Sequence, residues 1–144
     1  MQPAPGRPAT LIKPTLDSLY HIDYEWWERS GKDLNQALIA QLPQYLRDNL
    51  SARPGETTLD YVDPATAEVT PENELMLAIR MAAQGPEFVT PQTSITDAIF
   101  RSFAANGNQP MSVNELGVLL ARPPQTILKM LSGREVYYGL RPVR

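Results

Sequence analysis

The feature that most constrains this chain is a series of three amphipathic segments, each with its own start signal, in the last fifty residues. Ser94 precedes the first segment, whose apolar stripe predicts a helix ending at residues 106–108. Ser112 and Glu115 have the spacing of a capping box and predict the start of a second helix. The third predicted helix covers residues 124–131. Three short helices joined by turns indicate a small helical domain.

The residues that follow the third helix complete the pattern. Residues 135–143 are rich in β-branched and aromatic side chains and predict a strand or short hairpin. Three helices, a tight turn between the second and third, and a terminal β-wing correspond to a winged helix-turn-helix. The sequence therefore predicts such a domain in residues 91–144.

The segment 112–131 also resembles the second and third helices of winged helix-turn-helix domains. In that family a Glu-Leu pair, here Glu115 and Leu116, opens the positioning helix, and a triplet such as Gln-Thr-Ile, here at 125–127, opens the recognition helix. The turn between them often holds a glycine in the family, whereas this chain has Arg122-Pro123. The resemblance covers residues 94–144, whose two ends are also similar to the winged-helix module of the bacterial RNA polymerase delta subunit.

The resemblance implies that the third helix enters the major groove of DNA. Gln125, Thr126 and Lys129 face away from the apolar stripe and would lie near the bases. Gln can bond adenine with both amide atoms, Thr offers a hydroxyl or methyl group, and Lys reaches guanine or phosphate. Three arginines are expected to meet phosphates from the turn and the wing: Arg122, Arg134 and Arg141.

The charge of the chain leaves a second interpretation open. Residues 1–94 hold seven basic and thirteen acidic side chains, whereas residues 95–144 hold six basic and three acidic ones. This asymmetry suggests two functional surfaces. The sequence pI near 5.1 is nevertheless far from the basic balance of an obligate nucleic-acid binder. Because many winged helices dock on proteins, a purely protein-binding role is the alternative to DNA binding.

The rest of the chain is predicted in two parts. Four prolines in residues 1–14 favour an extended arm. Residues 15–90 are predicted to form an acidic helical region that begins near Leu16. Two strand-like runs at 57–62 and 67–69 predict a β-hairpin within it, followed by a helix capped at Thr70-Pro71.

Both tryptophans of the protein are adjacent, in the first predicted helix. Neighbouring helical residues point about 100° apart, so one face can hardly bury both Trp26 and Trp27. Tryptophan is also enriched at interface hot spots. We therefore expect Trp26, Trp27 and the nearby Tyr24 to include a contact with a protein partner or a second copy of the chain, with burial of the pair in the core as the alternative.

Composition argues against several functional classes. The chain has no cysteine and one histidine, which excludes thiol nucleophiles, disulfides and zinc knuckles. His21 with Asp23 and Glu25 with Glu28 are the best candidates for catalysis, but their spacing is typical of local capping and a solvated helix face. No apolar run has the length of a membrane span, and no targeting segment is found, so we expect a cytoplasmic protein.

Together these observations predict a mainly α fold, with a C-terminal winged helix-turn-helix preceded by a helical region and a small β-hairpin. The predicted function is that of a small non-catalytic DNA-binding regulator or adaptor, without a cofactor or small-molecule partner, whose N-terminal half docks on protein. The alternative is a structural subunit of a larger assembly that uses the winged helix for protein contact only.

Overall fold

The structure, a computed structural model, describes residues 13–144 and divides them into two units. One unit, called here the sheet unit, joins residues 13–23 to Gln109–Arg144. The other, called the helical unit, is Tyr24–Asn108. The predicted arm at residues 1–14 lies outside the described residues except for its last two positions. The structure thus divides the chain differently from the predicted division at residues 14 and 90.

Five helices and one hairpin form the helical unit. The helices are α1 (Tyr24–Ser30), α2 (Leu34–Ala40), α3 (Gln44–Arg47), α4 (Glu74–Ala83) and α5 (Ile95–Ala105). The hairpin consists of β2 (Thr58–Val62) and β3 (Val69–Asn73), and a short 3₁₀ turn at Pro54–Glu56 precedes it. Apolar side chains of α1, α2, α4 and α5 are buried in this unit.

Local capping signals account for most helix starts in the helical unit. The Asp33 carboxylate accepts a hydrogen bond from the Gln36 amide at 3.2 Å. The Ser94 hydroxyl accepts one from the Asp97 amide at 3.2 Å, as the position of Ser94 before its helix predicts. The predicted cap at Thr70-Pro71 is wrong, because β3 extends through both residues. Asn73 caps α4 instead, accepting from the Met76 amide at 3.1 Å.

The sheet unit contains the remaining elements. They are β1 (Leu19–Ile22), β4 (Met111–Ser112), α6 (Val113–Leu120), α7 (Pro124–Leu131) and β5 (Leu140–Pro142). The three strands form an antiparallel sheet in the order β4-β1-β5, in which β1 is the central strand. Tyr20 and Ile22 of β1 are buried, as are Leu116 of α6 and Ile127 of α7. The core of this unit therefore lies between one face of the sheet and its two helices.

The central strand corrects the prediction that the chain is helical from Leu16. Exposure alternates along the sequence Leu-Tyr-His-Ile at 19–22, as expected of a strand with one buried face. The two partner strands lie about ninety or more residues further along the chain. A four-residue strand whose partners are so distant carries too short a pattern to be separated from the helix that follows it.

The elements of the predicted winged helix-turn-helix are divided between the two units. The helix at Ile95–Ala105 belongs to the helical unit, whereas α6 and α7 belong to the sheet unit. Among the described residues after α7, β5 is the one strand, and its partner is β1 rather than a neighbouring wing strand. The chain is thus mainly α with two small antiparallel sheets, and the predicted hairpin near residues 57–69 is confirmed, with a longer second strand.

Candidate functional site

The candidate site is built on α6, α7 and the turn between them. The Ser112 hydroxyl accepts a hydrogen bond from the Glu115 amide at 3.0 Å, and the Glu115 carboxylate accepts one from the Ser112 amide at 2.9 Å. This reciprocal pair is the predicted capping box, and it fixes the start of α6. At the other end Ala121 adopts a left-handed conformation with φ of 53°, which turns the chain sharply towards α7.

A glycine inside α6 allows the turn to lie close to the helix. The Arg122 amide donates to the Gly117 carbonyl at 3.0 Å. A Cβ atom on Gly117 would lie 3.0 Å from the Arg122 carbonyl oxygen and 3.3 Å from the Pro124 ring. The turn itself holds Arg122 and Pro123, where the resemblance leads one to expect a glycine. Sequence reasoning missed Gly117, although a glycine among leucines in a helix is itself unusual.

The predicted recognition residues lie on one exposed face of α7. Ile127 and Leu131 are buried, whereas Gln125, Thr126 and Lys129 are exposed. We call these three exposed residues the recognition face. Their spacing of one and three residues places them on the same side of the helix, with Gln125 and Thr126 in its first turn and Lys129 in its last turn. The structure thus brings together the three side chains that the sequence assigns to base contacts.

The three predicted phosphate-binding arginines have different surroundings. Arg122 is half-buried in the turn, and Arg134 is exposed just after α7. Arg141 lies on β5 opposite His21, with its side chain 3.9 Å from the Asp23 carboxylate and 24% exposed. Because this ion pair already engages Arg141, Arg134 is the better placed of the two for an external anion.

The segment between α7 and β5, residues 132–139, contains no strand. Tyr138 and Gly139 both have a positive φ, of 53° and 68°, and the Leu140 amide donates to the Tyr137 carbonyl. A hydrogen bond with Glu135 and the negative charge of that carboxylate raise the pKa of Tyr137. Within residues 135–143, where the sequence predicts a strand or short hairpin, the structure therefore has a tight turn followed by the strand β5.

Two exposed apolar side chains on α6 were not predicted as part of a site. Val118 is 85% exposed and Leu119 is 58% exposed. Such a pair in water is a common feature of protein contact surfaces.

The two adjacent tryptophans of the helical unit differ in burial, as expected for neighbouring residues on a helix. Trp27 is buried and stacks on Phe100, with ring centroids 6.1 Å apart. Trp26 is half-buried, meets Trp27 edge-on at 5.3 Å, and has the Lys32 ammonium 5.5 Å from its ring centre. Tyr24 is 54% exposed. The core interpretation thus fits Trp27, and the surface that a partner can reach is that of Tyr24 and Trp26.

Among the groups considered for catalysis, His21 is half-buried on β1, and the three carboxylates lie in ion pairs or in water. Glu25 forms a 3.5 Å ion pair with Arg29 one turn along α1, and Glu28 is exposed. Asp23 pairs with Arg141. Residues 13–144 contain no cluster of three or more histidine, cysteine, aspartate or glutamate side chains suited to a metal ion.

Comparison with known proteins adds no relative, since no protein-family model, no curated protein and no solved structure matches the chain. Across residues 13–144, every helix is too short or too polar to pass through a lipid bilayer.

Proposed function

We propose that the chain is a small non-catalytic DNA-binding regulator or adaptor in which α7 reads the major groove. The observation that carries this proposal is the recognition face, with Gln125 and Thr126 exposed in the first turn of α7 and Lys129 exposed in its last turn. Helices of this kind present their first residues to base edges. Bidentate bonding to adenine would come from Gln125, and Lys129 would meet guanine or phosphate.

The distribution of charge supports the sheet unit as the DNA-binding part. Its described residues hold six basic and four acidic side chains, whereas the helical unit holds six basic and twelve acidic ones. Phosphate attraction supplies most of the affinity of non-specific DNA binding. A duplex is therefore attracted by the sheet unit and repelled by the helical unit, which leaves the latter for protein contact.

The helical unit is proposed as the docking half, with Tyr24 and Trp26 at its contact surface. Aromatic side chains of this kind combine a large apolar area with a polar tip and are enriched at interfaces. The expected partner is a protein or a second copy of the chain. Trp27 is buried against Phe100 and therefore supports Trp26 rather than contacting the partner.

A second candidate function is protein docking through the sheet unit, as a structural subunit of a larger assembly. The exposed Val118 and Leu119 favour this candidate, because an adjacent apolar pair has no role in binding a phosphate backbone. The pair lies on α6 and not on the recognition face, so a test can address each surface separately.

Binding to a random-sequence duplex in low salt tests the proposal. The full chain is expected to raise the fluorescence anisotropy of a labelled duplex, and the double variant Lys129→Ala/Arg134→Ala is expected to weaken that binding at least tenfold. The matched control is Arg47→Ala/Arg53→Ala, which removes two exposed basic residues from the helical unit and should leave affinity nearly unchanged. Absence of duplex binding by the wild-type chain contradicts the proposal and leaves the assembly function.

The variant Val118→Ser/Leu119→Ser tests the second candidate. If the sheet unit docks on protein through α6, this variant should reduce self-association measured by sedimentation at high concentration, with duplex binding unchanged. A loss of duplex binding in this variant would instead place α6 in the DNA interface.

A further inference from the structure

A cavity of about 360 Å³ lies in the helical unit, with walls from the end of α2, the end of α4 and the middle of α5. Its volume is at the lower end of the range of small-molecule sites. The apolar part of the wall consists of Ala40, Leu42, Pro43, Ala82, Pro86 and Phe88. An apolar ligand body matches these side chains because it displaces water that they cannot bond.

The positive charge in the wall is that of Arg101, on α5. Its Nε donates a hydrogen bond to Oε1 of Gln41 at 2.7 Å, and its Nη1 donates to the Phe88 carbonyl oxygen at 2.6 Å. Gln41 and Phe88 line the same cavity as Arg101, so the guanidinium that they hold lies at its wall. Arg101 is half-buried rather than buried, so part of its surface remains accessible.

In the part of the chain that the structure describes, no carboxylate pairs with this guanidinium. Both of its acceptors are neutral. Asp97, one turn earlier on α5, accepts instead from the Gln41 side-chain nitrogen at 3.4 Å. An arginine keeps its charge in proteins and has five N–H groups, of which these two bonds use two. The guanidinium of Arg101 therefore retains both the charge and the donors to bind an anion.

We propose that this cavity binds a small monocarboxylate with an apolar body, whose carboxylate group accepts hydrogen bonds from the Arg101 guanidinium. The planar fork of a guanidinium matches the two oxygens of a carboxylate. The apolar body of the ligand lies against Leu42 and Phe88. This site goes beyond the proposed DNA binding and does not depend on it.

The surrounding charges favour a ligand with one negative charge over a phosphate dianion. Glu87 lines the cavity and is exposed, and among residues 13–144 it forms no ion pair with Arg101. The helical unit as a whole holds six basic and twelve acidic side chains. One guanidinium balances one carboxylate, whereas Glu87 would repel a second negative charge on the ligand.

Benzoate and benzamide form a matched pair of probes, since they have nearly the same shape and only benzoate is charged. Each is titrated into the full-length chain, without DNA and at constant ionic strength, and binding is followed by NMR chemical shifts. We expect saturable binding of benzoate, with shifts at the residues of the cavity, and binding of benzamide about tenfold weaker or more. Inorganic phosphate should also bind more weakly than benzoate, because it lacks the apolar body. Equal binding of benzoate and benzamide, or tighter binding of phosphate, overturns the proposal.

The variant Arg101→Gln removes the positive charge from the wall. It should abolish the preference for benzoate over benzamide. Arg80→Gln is the matched control, because Arg80 is an exposed arginine of the same unit that lies outside the wall and pairs with Glu72, and it should preserve the preference. An unchanged preference in Arg101→Gln overturns the proposal.

Glu87→Gln keeps the test decisive if Arg101→Gln does not fold. Because Glu87 is exposed, its replacement by the isosteric amide should leave the fold intact. Loss of this negative charge should strengthen benzoate binding about twofold or more and leave benzamide binding unchanged. Glu68→Gln is the control, since Glu68 is exposed and outside the wall, and it should change neither affinity. An unchanged benzoate affinity in Glu87→Gln overturns the proposal.

Discussion

Ile22 of β1 lies directly opposite Leu140 of β5, and both side chains are buried on the core face of the sheet. The whole helical unit lies between these residues in the sequence. A strand from the start of the described chain therefore completes the fold of its last thirty-six residues, 109–144. The three-stranded sheet of this unit therefore depends on a pairing between residues that are far apart in the sequence.

Ile22→Ala tests the role of this central strand. Removal of a fully buried aliphatic side chain costs about 2–5 kcal/mol of unfolding free energy. We expect that loss in urea unfolding, with Leu19→Ala as the control, because Leu19 lies on the same strand and is nearly half exposed. Equal losses in the two variants would contradict the buried position of Ile22.

Gly117→Ala tests the close contact between α6 and the following turn. The added methyl group would lie 3.0 Å from the Arg122 carbonyl oxygen, so the turn must move. We expect a loss of about 1–3 kcal/mol in unfolding free energy, the usual cost of overpacking. Gly133→Ala is the control, since its Cβ would lie 3.6 Å from the nearest atoms and should change stability by less than about 0.5 kcal/mol. An unchanged unfolding free energy in Gly117→Ala would show that the turn can accommodate the added methyl group.

Substitution of each tryptophan should affect a different property, stability for Trp27 and association for Trp26. Trp27→Ala removes the ring that stacks on Phe100 and should lower the unfolding free energy by about 3–5 kcal/mol. Trp26→Ala should cost about 1.5 kcal/mol or less and reduce self-association or partner binding instead. Thermal unfolding and sedimentation measure the two effects. A Trp26→Ala variant as unstable as Trp27→Ala would place both rings in the core.

Local signals predicted much of the secondary structure, and long-range packing accounts for most of what was missed. The caps at Asp33, Ser94 and Ser112 depend on residues within three positions, so the sequence reveals them directly. Burial depends on partners far away in the chain. The strand at Leu19–Ile22 is not recognisable without its partners at β4 and β5.

The same distinction applies to the candidate site. The exposed positions of Gln125, Thr126 and Lys129 follow from helical periodicity alone. The Asp23–Arg141 ion pair and the exposure of Leu119 depend on how the sheet and helices pack, which no local pattern contains.

Tyr20 also predicts how stability changes at alkaline pH. Burial raises its pKa, so the folded state holds the phenolic proton to a higher pH than the unfolded chain does. This contribution is fully present below about pH 10, the unfolded pKa, and is lost as the pH rises through the folded pKa. The unfolding free energy of Tyr20→Phe should therefore fall less than that of the wild-type chain between pH 8 and about pH 11. Parallel pH profiles would contradict the burial of the hydroxyl.

The most direct test of the central claim is the salt dependence of duplex binding. The claim is that the sheet unit binds DNA through α7 and Arg134, three residues after its end. Each phosphate contact contributes about 0.9 to the slope of log affinity against log salt concentration. The account predicts that Lys129→Ala/Arg134→Ala reduces the wild-type slope by about 2 and that Arg47→Ala/Arg53→Ala leaves it unchanged. Equal slopes for the wild-type chain and the Lys129→Ala/Arg134→Ala variant would contradict the account.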